Sequence, residues 1–163
     1  MTLDDINHLQ TDAFVARYGA LFEHSPWVVE RAAAMRPFKE LHAGLMSAVE
    51  AASREDQLRL IRAHPELAGK TAVDLALTKA SQAEQASAGL DRLTLEEFEC
   101  FHALNAAYQQ RFGFPFVICV RQTDKAGVLA AMQARLNNSK DQEIDTAIRE
   151  ISAIVRLRLE AMT

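Results

Sequence analysis

The sequence predicts an all-α fold, a single-domain helical bundle of about eight helices over residues 1–163, with one extended apolar segment near residues 114–120. Three observations carry this expectation. Apolar residues recur at three- and four-residue steps along most of the chain, the spacing that gathers them on one face of a helix. The 6 glycines and 4 prolines fall mostly at plausible element boundaries. Two boxes of the form Ser/Thr-x-x-Glu, Ser81 to Glu84 and Thr94 to Glu97, can satisfy two orphan helix amides reciprocally through hydroxyl and carboxylate.

Taken in order, Phe14, Val15, Tyr18, Leu21 and Phe22 keep a helical step behind Asp12 as N-cap. Ser25-Pro26 reads as the cap and first position of the next helix, where proline lacks only an amide that would be orphaned anyway. That helix should stop near Arg36, because Pro37 disfavours helical geometry at the residue before it. A third helix carries Phe38, Leu41, Leu45, Met46 and Val49. Ser53 caps a short fourth one that ends at Ala63, before His64-Pro65 and a loop to Thr71. The first box starts a helix at Ser81. The second opens a long one bearing Phe98, Phe101, Leu104, Tyr108 and Phe112, closed by Gly113, where a left-handed residue is favoured. Phe114-Pro115-Phe116-Val117-Ile118-Cys119-Val120 does not read as helix: it is apolar, β-branched and broken by proline, with no second strand to pair with it. One helix around Val128, Leu129, Met132 and Leu136, and a long one from about Asp141 to Ala161, complete the chain.

Composition excludes several classes. The 163 residues carry a formal net charge of -4 with the 18 Lys and Arg dispersed, so no basic stripe marks a nucleic-acid partner. No apolar run approaches the ~18 residues of a membrane span. The acidic start, Met1 to Asp5, lacks the basic and apolar regions of a signal peptide, and the final residues match no targeting tail; a soluble cytoplasmic protein is expected. Cys100 and Cys119 form no CxxC pair. Gly69-Lys70-Thr71 mimics the end of a phosphate loop, but the position that requires the first glycine is His64. The five histidines make no HExxH and suggest no zinc site.

What remains are polar residues in awkward places. His64 is either a turn residue or an acid–base group, since imidazole titrates near neutrality. Glu84 is explained by the capping box and Gln85 by helix surface, although a helix N-terminus with hydroxyl, amides, Glu and Gln also suits a polar heterocycle. In the last helix Ile144, Ile148, Ile151, Val155, position 158 and Met162 form an apolar seam, and Arg158 stands in it, while Arg149, Ser152, Arg156 and Glu160 line the polar face. A buried arginine needs a partner, either an internal Asp or Glu or a substrate carboxylate. Asn105 interrupts the seam of its own helix and reads as a structural buried amide.

Five stretches together resemble one family, the 2-oxo-4-hydroxy-4-carboxy-5-ureidoimidazoline (OHCU) decarboxylases: HSPWVVERAAAMRPF from His24, RAHPELAGK from Arg62, SQAEQASAGLDRLT from Ser81, FHALNAAYQQRFGFPFVICV from Phe101, and IREISAIVRLRL from Ile148. The resemblance implies an all-α homodimer that needs neither metal nor organic cofactor and takes an anionic ureidoimidazoline, a small molecule of urate breakdown, to (S)-allantoin. It implies His64, Glu84 and Arg158 as catalytic residues. It implies substrate binding by Pro65, Ser81, Gln85 and the backbone of Phe116, Val117, Ile118, Cys119 and Val120, with Glu84 and Gln85 gripping ureido N–H groups. Two other classes compete: a non-enzymatic helical binding module, and a related lyase or hydrolase acting on another ureido compound.

Overall fold

The computed structural model describes residues 1–68 and 78–162, and among these the regular structure is helical, without a strand. Nine α-helices occur among the described residues: α1 (Leu3–His8), α2 (Thr11–Tyr18), α3 (Trp27–Ala33), α4 (Leu41–Glu50), α5 (Arg54–Arg62), α6 (Lys79–Ser87), α7 (Leu95–Phe112), α8 (Lys125–Arg135) and α9 (Lys140–Glu160). Short 3-10 turns lie at Gly19–Leu21 and Val120–Gln122. The chain forms two compact units, Met1–Ala63 with Ser152–Thr163, and His64–Ile151. The all-α expectation holds. The Gly69-Lys70-Thr71 triplet and the end of the expected loop at Thr71 lie outside the described residues.

In the first unit α2 packs on α3 and α3 on α4. The apolar faces of these helices, with Phe14, Val28, Val29, Leu45 and Val49, are closed off from solvent, and Leu60 and Ile61 of α5 are buried as well. Ser53 caps α5, its hydroxyl accepting the Asp56 amide at 3.1 Å, as expected. Elsewhere the boundaries shift. Gln10, not Asp12, flanks α2; Asp12 lies in its first turn, where its charge faces the positive helix end. Pro26 takes the cap position of α3, and the Ser25 hydroxyl donates instead to the Glu23 carbonyl at 2.8 Å. The same helix ends at Ala33, three residues early, because Arg36 has turned away to hold α1. Its Nη1 donates to the carbonyls of Ile6 (2.9 Å) and Leu9 (2.7 Å), and its guanidinium lies 4.6 Å from the Phe14 ring centre. Helix α1 itself, capped by a Thr2–Asp5 box, is absent from the periodic pattern because it buries only Ile6. Phe38 precedes α4 rather than riding on it. Its backbone pairs twice with the Asn7 amide (3.0 and 2.8 Å), and its ring lies so close over Gly44 that any Cβ there would collide with it.

The second unit is built around α7, which packs on α8. The Thr94–Glu97 box is complete: the Thr94 amide donates to Glu97 Oε1 at 3.0 Å and the Glu97 amide to Thr94 Oγ1 at 3.1 Å. Gly113 ends the helix at φ 80°, a left-handed conformation that costs glycine little. Tyr108 gathers Phe112, Phe114 and Phe116 around it at ring-centre distances of 4.6, 5.9 and 5.3 Å. The expected extended segment is present through Cys119, with Val120 already in a 3-10 turn. The Ser81–Glu84 box is not formed. Helix α6 starts one turn earlier under Thr78, whose hydroxyl accepts the Ser81 amide at 3.2 Å, so Ser81 sits at the third helical position and Glu84 in the helix interior. Helix α9 is continuous from Lys140 to Glu160. Ile144, Ile151 and Val155 are buried on its seam, but Met162 lies past its end and is 40% exposed, so the seam does not reach it.

Candidate active site

Within the second unit three pieces of backbone meet. The chain leaves α5 through Ala63 and turns at His64 to Ala68, and this turn is held from two helices. The Ala68 amide donates to Gln85 Oε1 of α6 at 3.1 Å, and Asn105 Nδ2 of α7 donates to the Leu67 carbonyl at 2.8 Å. Asn105 is thus the structural amide its place in the seam implied. Helix α6 in turn packs against the 3-10 turn that closes the extended segment. The expected residues His64, Ser81, Glu84, Gln85 and the backbone of Phe116 to Val120 therefore fall in one region. All but the half-buried Ile118 are buried, and Pro65 lies half-buried beside His64.

Among the described residues this region holds several donors without acceptors. Since Gln85 Oε1 accepts from Ala68, the orientation of the amide is settled, and its Nε2 is buried without a partner among the described residues. A buried N–H left unmade costs about 1–3 kcal/mol. The amides of Phe116 through Val120 likewise donate to no group among the described residues, although four of the five residues are closed off from solvent. Glu84 places an acid on the same helix, now without the capping function that would have accounted for it. Burial, and then the charges of Glu150 and Glu84, push the Cys119 thiol above its ordinary range, which keeps it protonated and unreactive at neutral pH. Among the described residues no three His, Cys, Asp or Glu side chains gather as a metal site would require.

Arg158 belongs to the first unit. Its side chain is 8% exposed, and Nη1 lies 3.5 Å from Glu23 Oε1 and donates to the Leu21 carbonyl at 3.3 Å. Of the two partners left open by the seam, the internal acid is the one found. Arg156 has a different task on the polar face: its guanidinium donates to His42 Nδ1 at 2.9 Å, which leaves His42 Nε2 to donate to the Ser152 carbonyl at 2.9 Å.

One group of buried polar residues was missed. Arg135, Glu143 and Tyr108 join in the second unit, with Arg135 Nε donating to Glu143 Oε1 at 2.7 Å and the Tyr108 hydroxyl to the same oxygen at 2.5 Å. Asn138 Nδ2 donates to Glu143 Oε2 at 2.8 Å, and Arg135 Nη1 to the Val117 carbonyl at 2.8 Å. The signal was present, since Arg135 follows Val128 and Met132 at steps of four and three, the same kind of break in an apolar seam that marks Arg158 in its own helix.

An all-helical chain with unclaimed donors beside a buried histidine and carboxylate has the features of an enzyme site for a polar, acceptor-rich small molecule. The profile of the family described as OHCU decarboxylase matches residues 7–160, and this chain belongs to that family. A 2-oxo-4-hydroxy-4-carboxy-5-ureidoimidazoline decarboxylase of Haloferax volcanii is 47% identical to it, over 98% of this chain and 94% of that one. A protein of the same name from Halalkalicoccus jeotgali is 39% identical, over 100% of this chain and 92% of its own. Among solved structures, that of an (S)-allantoin synthase superposes with a TM-score of 0.74 at 28% identity, covering 99% of this chain and 53% of that one.

Proposed function

We propose that this chain decarboxylates 2-oxo-4-hydroxy-4-carboxy-5-ureidoimidazoline to (S)-allantoin, a carboxy-lyase step in urate degradation. Membership of the family and the names of the relatives support the reaction. The observation that ties it to this chain is the buried Gln85 Nε2, an oriented donor without a partner among the described residues, beside a row of unclaimed backbone amides.

In this reading the carbon–carbon bond to the carboxylate breaks, CO2 leaves, and the electron pair passes into the adjacent ring imine. The amides of Phe116 to Val120 hold ring or ureido oxygens and fix the orientation of the substrate. Gln85 offers its unclaimed Nε2 to a carbonyl oxygen of the substrate, while Oε1, which already accepts from Ala68, keeps one lone pair for a ureido N–H. Glu84 accepts from the ureido N–H groups, and Ser81 and Pro65 line the substrate. His64 moves the proton, taking it from the ring hydroxyl or delivering it to one face of the planar intermediate, which accounts for a single stereoisomer. The resemblance assigns Arg158 to the anionic group of the substrate, a role it would carry in addition to its pairing with Glu23. The reading extends to a cytoplasmic homodimer that works without metal or organic cofactor.

The test is circular dichroism during enzymatic oxidation of urate, with the ring hydrolase and then this protein added. Rapid growth of an (S)-allantoin signal, reduced at least about a hundredfold in rate by His64→Ala, is the expected result. An optically silent product formed at the spontaneous rate would reject the decarboxylase reading, and full activity in His64→Ala would reject the role given to that residue.

A further inference from the structure

The buried group around Arg135 has no part in the chemistry above, and its geometry says what it does. The segment from Phe114 to Cys119 has no strand to pair with among the described residues, so no regular structure there sets the direction of its peptide planes. Arg135 does so at one place. Nη1 donates to the Val117 carbonyl at 2.8 Å, and the guanidinium lies 4.2 Å from the centre of the Phe116 ring, so two consecutive residues are gripped by one side chain. In a trans peptide the carbonyl of one residue and the amide of the next point in opposite directions. Holding the Val117 carbonyl toward Arg135 therefore aims the Ile118 N–H away from it.

The arginine is itself locked. Glu143, fully enclosed, takes Nε at 2.7 Å and is in turn held by Tyr108 and Asn138. The arrangement keeps Arg135 Nη2 buried without a partner among the described residues. An apolar residue would avoid that cost, and a lysine would carry one nitrogen in place of a planar fork. Only the fork can hold Glu143 and the Val117 carbonyl at once and at a fixed angle.

We propose that Arg135 is a positioning residue for substrate binding: anchored by Glu143, it fixes the Val117–Ile118 peptide so that the Ile118 amide is presented as a donor. This rests on the reading of the 116–120 amides as substrate ligands. The test uses the full chain, with Arg135→Lys compared with wild type by steady-state kinetics and by amide NMR during titration with (S)-allantoin. A donor that acts alike on bound substrate and transition state gives a KM raised roughly tenfold, with kcat within about threefold of wild type. The Ile118 amide should shift on adding product to wild type and much less in the variant. If the wild-type Ile118 amide does not respond to saturating product, the amide reading of the site fails and this inference falls with it. If that amide responds but folded Arg135→Lys keeps the wild-type KM, the site stands and the positioning role is overturned. Should Arg135→Lys not fold, Glu143→Gln carries the same test, since it keeps the shape and removes the charge that anchors the guanidinium; an unchanged KM there overturns the proposal equally.

Discussion

Arg158 and Glu23 form an ion pair whose side chains are 8% and 1% exposed, so their removal from water weighs against their attraction. The two halves of that balance can be separated. Glu23→Gln removes the charge that lies 3.5 Å from a buried guanidinium and should lower stability by about 3 kcal/mol, read from urea unfolding. Replacing both residues, Glu23→Leu with Arg158→Met, should restore most of that stability while decarboxylation is lost with Arg158. Activity in the stable double variant would mean that Arg158 serves the fold and not the substrate. Arg158 was legible in the sequence because it breaks an apolar seam inside a long regular helix. Glu23 was not, since it lies in an irregular stretch between Leu21 and Ser25 where no period exists to be broken. Arg135 is legible by the Arg158 criterion, since it stands at the three-residue step after Met132 on an apolar face. Gln85 shows the opposite limit. Its residue type suggested an amide that could serve either way, and only the Ala68 N–H on its oxygen shows that Nε2 is the end left unclaimed.

Helix starts separate what a local motif can say from what it cannot. Thr94–Glu97 and Ser81–Glu84 look alike as sequence, yet only the former caps a helix. Thr78 lies one turn ahead of Ser81 and takes the Ser81 amide that the box would have given to Glu84, which moves Ser81 and Glu84 into the helix body. Losing its capping function is what makes Glu84 informative as a buried acid. At Thr94 both arms are made, and Thr94→Ala should cost about 1 kcal/mol in urea unfolding with little change in KM. The Glu97 carboxyl is held below the usual range by the Thr94 amide and then by Lys125. Its contribution is therefore present above the unfolded carboxylate value and fades as pH falls through the lowered folded value. A Glu97→Ala protein should thus lose part of its acid sensitivity along with its stability, and unchanged stability would remove the box from the account. The extended segment was legible for a different reason: Pro115 and a β-branched run oppose helix strongly enough that no partner strand was needed to recognise it. Where its peptide planes point depended on Arg135, a contact across 18 residues of sequence that no local pattern contains.

At the scale of the molecule, the sequence suggested one domain, and the chain is arranged as two compact units with α9 contributing residues to each. We propose that this shared helix makes unfolding a single event, since neither unit can lose its part of α9 without cutting a continuous hydrogen-bonded ladder. Two aromatic residues provide a test. The only tryptophan, Trp27, reports on the first unit, and Tyr108 is buried in the second. Burial, and then its bond to Glu143, push the Tyr108 hydroxyl well above its ordinary value. The sign follows directly: an acid whose folded pKa is raised stabilises fully below the unfolded tyrosine value of about 10, and that stability is lost as pH rises beyond it because the unfolded chain ionises first. Tyr108→Phe removes this dependence at its source. Urea unfolding from pH 9 to 11, followed by Trp27 fluorescence, should show wild type losing stability more steeply than Tyr108→Phe. The difference should match that seen by far-ultraviolet circular dichroism, which weights all helices. A Trp27 transition indifferent to the Tyr108 substitution, beside a circular dichroism signal that responds to it, would mean that the two units unfold independently.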